Sequence, residues 1–158
     1  MPKISTVLWF EKGAEEAAKL YTSLIPNSKI TGLYTPPTDT PMSPAGEPLV
    51  VDFELDGVPY QLLNAGPYFK QSECVSIMVQ TEDQAETDRL WNALIADGGA
   101  ESQCGWLKDK WGVSWQITPR QLLEATSSKD RAAAKRAMDA MMKMGKIDIA
   151  AIDAAYRG

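Results

Sequence analysis

The chain repeats part of its own sequence, and this repeat constrains the fold more than any other feature. The segment LYTSLI at residues 20–25 recurs 70 residues later as LWNALI. A second segment, GVPYQL at residues 57–62, recurs 55 residues later as GVSWQI. Both pairs keep the same order along the chain, so we expect two copies of one structural module.

The two offsets differ because the first copy contains an insertion. Residues 34–48 hold five prolines and have no counterpart in the second copy. Proline lacks a backbone donor and interrupts helices and central strands. The insertion is therefore predicted to be a loop or a connection at a sheet edge.

The first copy is predicted to run from strand to helix to strands. Residues 4–10 are rich in β-branched and aromatic side chains, which favours a strand. Helical spacing follows at Ala17, Leu20, Tyr21 and Leu24. Asn27 and Gly32 are then expected to mark the ends of elements. Two strands at residues 49–55 and 58–63 flank Asp56-Gly57, a strong hairpin signal.

The second copy has the same order of elements. Residues 75–80 are predicted to form a strand, and Asp83 with Glu86 forms the capping box of the next helix. Gly98-Gly99 ends this helix, and strands near residues 102–107 and 113–118 close the module.

Helical patterns replace the strands after Pro119. An Ala/Met-rich helix is predicted at residues 130–144, with Ser127 and Ser128 as its caps, and a last short helix begins at Asp148. A methionine stripe on one face of the first of these helices is expected to dock on the rest of the fold; it consists of Met138, Met141 and Met142.

Composition excludes several functional classes. The net charge of −5 and the pI of 4.8 disfavour binding to nucleic acid. No apolar run approaches the roughly 18 residues of a membrane helix, and the first residues do not form a signal-peptide pattern, so a cytoplasmic location is expected. The chain contains no histidine, which excludes histidine triads and histidine metal centres. Cys74 and Cys104 are expected to be reduced thiols.

Duplicated strand–helix–strand units, with a G-V-x-W-Q strand closing the second, resemble the vicinal-oxygen-chelate superfamily. The run CGWLKDKWGVSWQITP at residues 104–119, together with Gly66-Pro67 and the tail segment MGKID at residues 144–148, is similar to its PhnB-like family. Many members of that family are labelled 3-demethylubiquinone-9 3-methyltransferase.

The resemblance implies an α+β fold in which two βαβββ modules form a cupped mixed sheet, followed by C-terminal helices. The expected glyoxalase-like domain spans residues 1–126, with module one at about 3–65 and module two at about 74–119. Residues 127–158 form the expected helical extension.

Enzymes of the superfamily hold a divalent metal with side chains from four strands. Carried over by the repeat offsets, these positions are Thr6 and Ser76 on the first strands and Gln61 and Gln116 on the closing strands. Two hydroxyls and two neutral amides are a poor ligand set for a divalent cation. No metal and no other cofactor are therefore expected.

The same four polar side chains are expected to bind a small molecule inside an aromatic cup. Its predicted walls are Trp9, Tyr60, Trp106 and Trp115, and Asn64 is a further candidate. The alternative is that the aromatic residues are core and the glutamines bond to the backbone.

Three functions remain open from the sequence. The first is a metal-free homodimer that binds a small apolar or aromatic molecule. The second is an enzyme, either the transferase of the family label or a lyase or isomerase that uses Asp or Glu as its base. The third is an interaction module whose Met-rich tail docks a partner. Nucleotide-dependent methyltransferases usually have a glycine-rich first turn in a doubly wound sheet, and the sequence lacks that turn.

Overall fold

The computed structural model describes residues 2–43 and 45–158. The chain divides into two units, with the boundary between Gln71 and Ser72. Each unit contains one copy of the repeat and one four-stranded mixed sheet.

Unit 1 carries sheet 1, whose strands lie in the order β1-β4-β3-β2. β1 is parallel to β4, and the other neighbours are antiparallel. Asp56 and Gly57 both have positive φ, as a two-residue hairpin between β3 and β4 requires. The elements are β1 (Thr6–Phe10), α1 (Ala14–Leu24), β2 (Lys29–Tyr34), β3 (Val50–Leu55) and β4 (Val58–Asn64).

Helix α1 covers one face of sheet 1. Alternate strand residues on that face are buried, and they meet the buried side of α1 formed by Ala14, Ala17, Ala18 and Tyr21. Because side chains alternate along a strand, every second residue points to the opposite face. The buried strand residues are Leu8, Phe10, Val51, Phe53, Leu55 and Leu62.

Unit 2 carries sheet 2, whose strands lie in the corresponding order β5-β8-β7-β6. Asp83 accepts a hydrogen bond from the Glu86 amide at 2.8 Å, and Glu86 accepts one from the Glu82 amide at 2.8 Å, so the predicted cap of α2 is confirmed. The elements are β5 (Ser76–Thr81), α2 (Gln84–Ile95), a 3-10 turn (Ala96–Gly98), β6 (Ala100–Glu101), β7 (Trp106–Lys108) and β8 (Ser114–Pro119).

A buried carboxylate organises the turn between β7 and β8. Asp109 is 3 % exposed. Its carboxylate accepts hydrogen bonds from the amides of Trp111 and Val113 and from the Trp115 indole, each at 3.0 Å. These hydrogen bonds give the aspartate of the segment K-D-K-W-G-V-S-W a structural role in the turn.

The C-terminal helices are α3 (Arg120–Thr126), α4 (Arg131–Met141) and α5 (Ile149–Arg157). They share an apolar cluster of Leu122, Ala125, Ala137, Ile147 and Ile152. The chain before α5 is joined to the module by backbone hydrogen bonds from Cys104 to Met144 and from Gly105 to Gly145, each at 2.8 Å.

The side chain of Gln84 makes a second connection at the start of α2. Its amide donates to the Ile147 carbonyl at 3.0 Å and accepts from the Ile149 amide at 2.9 Å. Lys146 also pairs with Asp88 of α2 at 2.7 Å.

Several local predictions need correction. Gly32 lies within β2, beside a register shift, and does not end an element. The strand predicted at residues 102–107 is the hairpin of β6 and β7, because Cys104 and Gly105 turn the chain with positive φ. The cap of α4 is Asp130, which accepts from the Ala133 amide at 3.0 Å, and neither predicted serine takes that position.

The methionine stripe is also only partly packed. Met141 lies against the apolar cluster, whereas Met138 is 40 % and Met142 52 % exposed. No helix within the described residues is long and apolar enough to span a membrane.

Candidate functional site

Each sheet has one face that its own module helix covers and a second face, here called the open face, that this helix does not cover. The strand registers place the residues of each open face in rows across the strands. On sheet 1, one row runs Val7, Gln61, Asp52, Gly32, and the next runs Trp9, Leu63, Val50, Tyr34.

The first row of sheet 1 contains a hydrogen-bonded pair. Gln61 Nε2 donates to Asp52 Oδ1 at 2.6 Å. An ionised carboxylate only accepts hydrogen bonds, so this contact orients the Gln61 amide and leaves its Oε1 as an acceptor. A Cβ at Gly32 would lie 3.1 Å from Asp52 Oδ2, which shows how close the β2 backbone comes to this carboxylate.

Trp9 anchors the segment that follows β4. Its indole donates to the Gly66 carbonyl at 2.9 Å, and its ring meets Phe69 edge-on with centroids 4.8 Å apart. The side-chain amide of Gln71 donates to the Trp9 carbonyl. Trp9 therefore lies on the open face with its polar atoms engaged.

On sheet 2, one row of the open face is polar and the next is mostly apolar. Ser76, Ser114 and Lys108 form the first row, and Met78, Gln116 and Trp106 form the second. Gln116 Nε2 donates to Ser76 Oγ at 2.9 Å across the two rows.

The Ser114 hydroxyl is buried and unpaired. Ser114 is 1 % exposed, and its Oγ has no hydrogen-bond partner within the described residues. Buried hydroxyls normally have a partner, so we expect this atom to be paired by a water molecule or a ligand.

Lys108 ends the polar row and pairs with Glu73 at 2.6 Å. The hydrogen bond from Lys108 lowers the pKa of the Glu73 carboxyl below its usual range. A cavity of about 230 Å³ adjoins this pair, small enough to suit a fragment rather than a drug-sized molecule. Its lining consists of Glu73, Ala100, Glu101, Ser102, Trp106, Leu107 and Lys108.

Five of the eight predicted binding residues lie on the open faces. They are Trp9 and Gln61 on sheet 1 and Ser76, Trp106 and Gln116 on sheet 2. Ligand binding by these side chains stays a prediction.

The other three predicted residues, Thr6, Asn64 and Trp115, belong to the opposite faces of their strands, so the register does not place them beside these five. Thr6 pairs with Tyr60, which stacks on buried Phe53 at 5.5 Å between ring centroids. Thr6 and Ser76 are not equivalent. The first strands of the two modules correspond at an offset of 71 residues, whereas the helices correspond at an offset of 70. Val7 faces Gln61 as Met78 faces Gln116. A slip of one residue transfers a side chain to the other face.

Asn64 and Trp115 have structural roles. Asn64 accepts from the Ala14 amide at the start of α1 at 3.0 Å and donates to the Pro48 carbonyl at 2.9 Å. Trp115 is fully buried and donates to Asp109. Tyr60, the remaining predicted wall residue, is half-buried on the helix-covered side, where burial raises the pKa of its phenol.

Asp52 and Ser114 are two polar open-face residues that sequence reasoning missed. A signal for Asp52 was present. A two-residue hairpin at Asp56-Gly57 pairs Leu55 with Val58 and, counting back along both strands, Asp52 with Gln61. The unpaired hydroxyl of Ser114 has no such signal, because it depends on packing.

The open faces do not present the ligands that a divalent metal requires. In the strand register, the side chains that face Gln61 and Gln116 are those of Val7 and Met78, so each amide has an apolar neighbour on the first strand. Asp52 and Glu54 supply two carboxylates on sheet 1, and no group of three or more potential His, Cys, Asp or Glu ligands occurs within the described residues. This donor set does not fit a Zn²⁺, Fe²⁺ or Mg²⁺ centre.

Two modules, each with a helix on one face of a four-stranded mixed sheet, define the chain as an α+β protein, as predicted. The model of the family described as 3-demethylubiquinone-9 3-methyltransferase matches residues 2–118. A putative 3-demethylubiquinone-9 3-methyltransferase, PhnB protein, from Bacillus cereus is 32 % identical with a TM-score of 0.67, and the match covers 75 % of this chain and 99 % of that one. The chain therefore belongs to this PhnB-like family, and the predicted family is confirmed.

Two further solved structures are similar. Protein PA1353 from Pseudomonas aeruginosa is 21 % identical with a TM-score of 0.60, covering 75 % of this chain and 98 % of its own, which shows a shared fold. A glyoxalase/bleomycin resistance protein from Albidiferax ferrireducens T118 is 14 % identical with a TM-score of 0.48, covering 75 % and 99 %. No curated protein matches the chain significantly.

Proposed function

We propose that this chain binds a small molecule on the open faces of its sheets, through side-chain hydrogen bonds and apolar contacts rather than through a metal ion. The unpaired Ser114 hydroxyl on the open face of sheet 2 carries this proposal. Leaving a buried hydroxyl unpaired costs about 1–3 kcal/mol, so a bound polar group that pairs with it gains that free energy back.

The neighbours of Ser114 complete a site for a small polar group with an apolar body. Ser76 on β5 faces Ser114 on β8 in the strand register. The side chain of Gln116 is held in place by its hydrogen bond to the Ser76 hydroxyl. Met78, 53 % exposed, and Trp106 supply apolar surface in the next row. Pockets for small molecules combine apolar walls with a few oriented polar groups in this way.

The metal-free part of the proposal rests on the donor set. In the strand register, Val7 and Met78 face Gln61 and Gln116, the two amides carried over from the superfamily's metal-ligand positions. Neither an alkyl side chain nor a thioether compensates the loss of water from a hard divalent cation.

The transferase activity in the family's label is not part of this proposal. Nucleotide cofactors are usually held at the glycine-rich first turn of a parallel, doubly wound sheet. Both sheets of the described chain are four-stranded and mixed. A homodimer and a cytoplasmic location remain predictions.

A ligand screen tests the proposal. Thermal shift and tryptophan fluorescence would be measured against a panel of metabolites, with EDTA present throughout. We expect at least one compound to bind below millimolar concentration, and Ser114→Ala and Gln116→Leu each to weaken it about tenfold, as expected for loss of one buried hydrogen bond.

Gln103→Leu is the matched control for Gln116→Leu, because Gln103 is an exposed glutamine in the turn between β6 and β7. It should leave the affinity unchanged. A panel without any binder, or equal losses in all three variants, would contradict the proposal.

A further inference from the structure

The open face of sheet 1 carries a carboxylate that has no cationic partner among residues 2–43 and 45–158. Asp52 is partly buried, and its contact within the described residues is the neutral amide of Gln61. Glu54, two residues along β3 on the same face, pairs with Lys29 at 3.7 Å. The two acidic residues of this face therefore differ, because one has a cation beside it and the other does not.

The geometry leaves one oxygen of Asp52 available. Gln61 occupies Oδ1, and the residue that faces Asp52 on β2 is Gly32, which has no side chain. An alanine at this position would place its Cβ only 3.1 Å from Oδ2. The glycine thus keeps the approach to this oxygen free of a side chain.

Apolar and aromatic residues lie beside this carboxylate. The neighbouring row of the open face consists of Trp9, Leu63, Val50 and Tyr34. A cation that pairs with a carboxylate and also contacts aromatic rings gains from both interactions.

From this arrangement we infer that the open face of sheet 1 binds a small organic ammonium ion. Its charged group hydrogen-bonds Asp52 Oδ2 above Gly32, and its apolar body lies on the Trp9–Tyr34 row. The inference rests on the proposed function in treating the open face as a ligand surface, but it concerns residues other than Ser76, Ser114 and Gln116.

Three compounds of one shape and different charge test the inference: benzylamine, benzyl alcohol and benzoate. Each would be titrated into ¹⁵N-labelled protein, with the Gly32 amide and the Gln61 side-chain amide followed by NMR. We expect benzylamine to shift both signals in a saturable manner, and the alcohol and the benzoate to bind at least about tenfold more weakly, because each lacks the charge-assisted hydrogen bond.

Asp52→Asn removes the charge and keeps a side chain that can still bond to Gln61. It should weaken benzylamine binding about tenfold, the effect expected for a hydrogen bond to a charged group. Gly32→Ala, which keeps the charge but crowds Oδ2, should also weaken binding. Glu54→Gln is the matched control and should change the affinity by less than about twofold, because this carboxylate already has a cation partner.

Equal binding of the three compounds, or unchanged benzylamine affinity in Asp52→Asn, would overturn the inference. Shifts confined to Ser76, Met78 and Gln116 would also overturn it, and would leave the proposed function supported. An Asp52→Asn protein that fails to fold is replaced by Gly32→Ala, for which unchanged affinity counts against the inference in the same way.

Discussion

At the scale of single residues, Asp109 shows how a polar side chain becomes part of a core. Its buried carboxylate accepts hydrogen bonds from the backbone amides of Trp111 and Val113 and from the indole of Trp115. Removing it leaves these donors unpaired in a buried turn. Burial of unpaired donors is far more costly than exposure of the same groups.

Asp109→Ala should therefore lower the free energy of unfolding by about 3 kcal/mol or more. Urea denaturation followed by circular dichroism measures this value. Asp153→Ala, at an exposed position of α5, should change it by less than about 0.5 kcal/mol. Similar losses in both variants would show that the turn does not depend on the buried carboxylate.

Gly105 illustrates a second constraint at residue scale. It has a φ of +82°, and a Cβ would lie 2.9 Å from the Ile117 carbonyl oxygen. Gly57 has a similar φ of +77°, but its nearest neighbour would be 3.9 Å away. The two positions share the left-handed backbone and differ in space.

Gly57→Ala should cost about 1–2 kcal/mol, the usual penalty of a left-handed L-residue. Gly105→Ala should cost clearly more in the same urea titration, because the backbone of β8 cannot move aside cheaply. Equal losses would mean that crowding at Ile117 is relieved by a small shift.

At the scale of elements, the repeat predicted much of the architecture correctly. The helix positions related by an offset of 70, such as Leu20 and Leu90, occupy corresponding places in α1 and α2. The Asp83–Glu86 cap and the Asp56-Gly57 hairpin also formed as their sequences indicate. These features depend on local chemistry, which a sequence displays directly.

The predicted site was less accurate, because it required the register of β1 and β5 to be known within one residue. Glu11, Lys12 and Gly13 connect β1 to α1, whereas Glu82 and Asp83 connect β5 to α2. This difference of one residue moved the equivalent of Met78 from Leu8, which an offset of 70 gives, to Val7. Neither composition nor hydrophobic period reveals which connection is longer.

Thr6→Ala and Ser76→Ala form a direct test of this register. Ser76 lies on the open face beside Gln116, and Thr6 points to the helix-covered side. For a ligand found in the screen, Ser76→Ala should weaken binding severalfold, consistent with loss of a hydrogen bond, and Thr6→Ala should have no effect in a fluorescence titration. Equal effects would favour the original pairing of Thr6 with Ser76.

At the scale of the whole molecule, unit 2 differs from unit 1 because three C-terminal helices follow its module. In unit 2, the C-terminal helices are joined to α2 through Gln84 and through the Lys146–Asp88 pair. Hydrogen bonds from Lys146 and Gln84 lower the pKa of the Asp88 carboxyl below its ordinary value of 3.8. The ionised form is thus preferred in the folded state.

A carboxyl group whose pKa is lowered by folding stabilises the protein above its unfolded pKa, and this contribution disappears as pH falls through the lower, folded value. Asp88→Asn should therefore reduce stability at pH 7 by at most about 0.5–1 kcal/mol, because both side chains are partly exposed and solvent screens the pair. Thermal melts of both proteins from pH 7 to pH 2.5 should converge at the acidic end. A difference that persists there would assign the effect to something other than this charge.

Methionine methyl groups offer the most direct test of whether ligands bind on the open faces. Met78 lies on the open face of sheet 2, while Met138 and Met142 are similarly exposed on or next to α4. Protein with ¹³C-methyl methionine would be titrated with the best compound from the screen. We predict that the Met78 methyl signal shifts with the binding curve while those of Met138 and Met142 stay in place; shifts at Met138 and Met142 with an unchanged Met78 would contradict the open-face site.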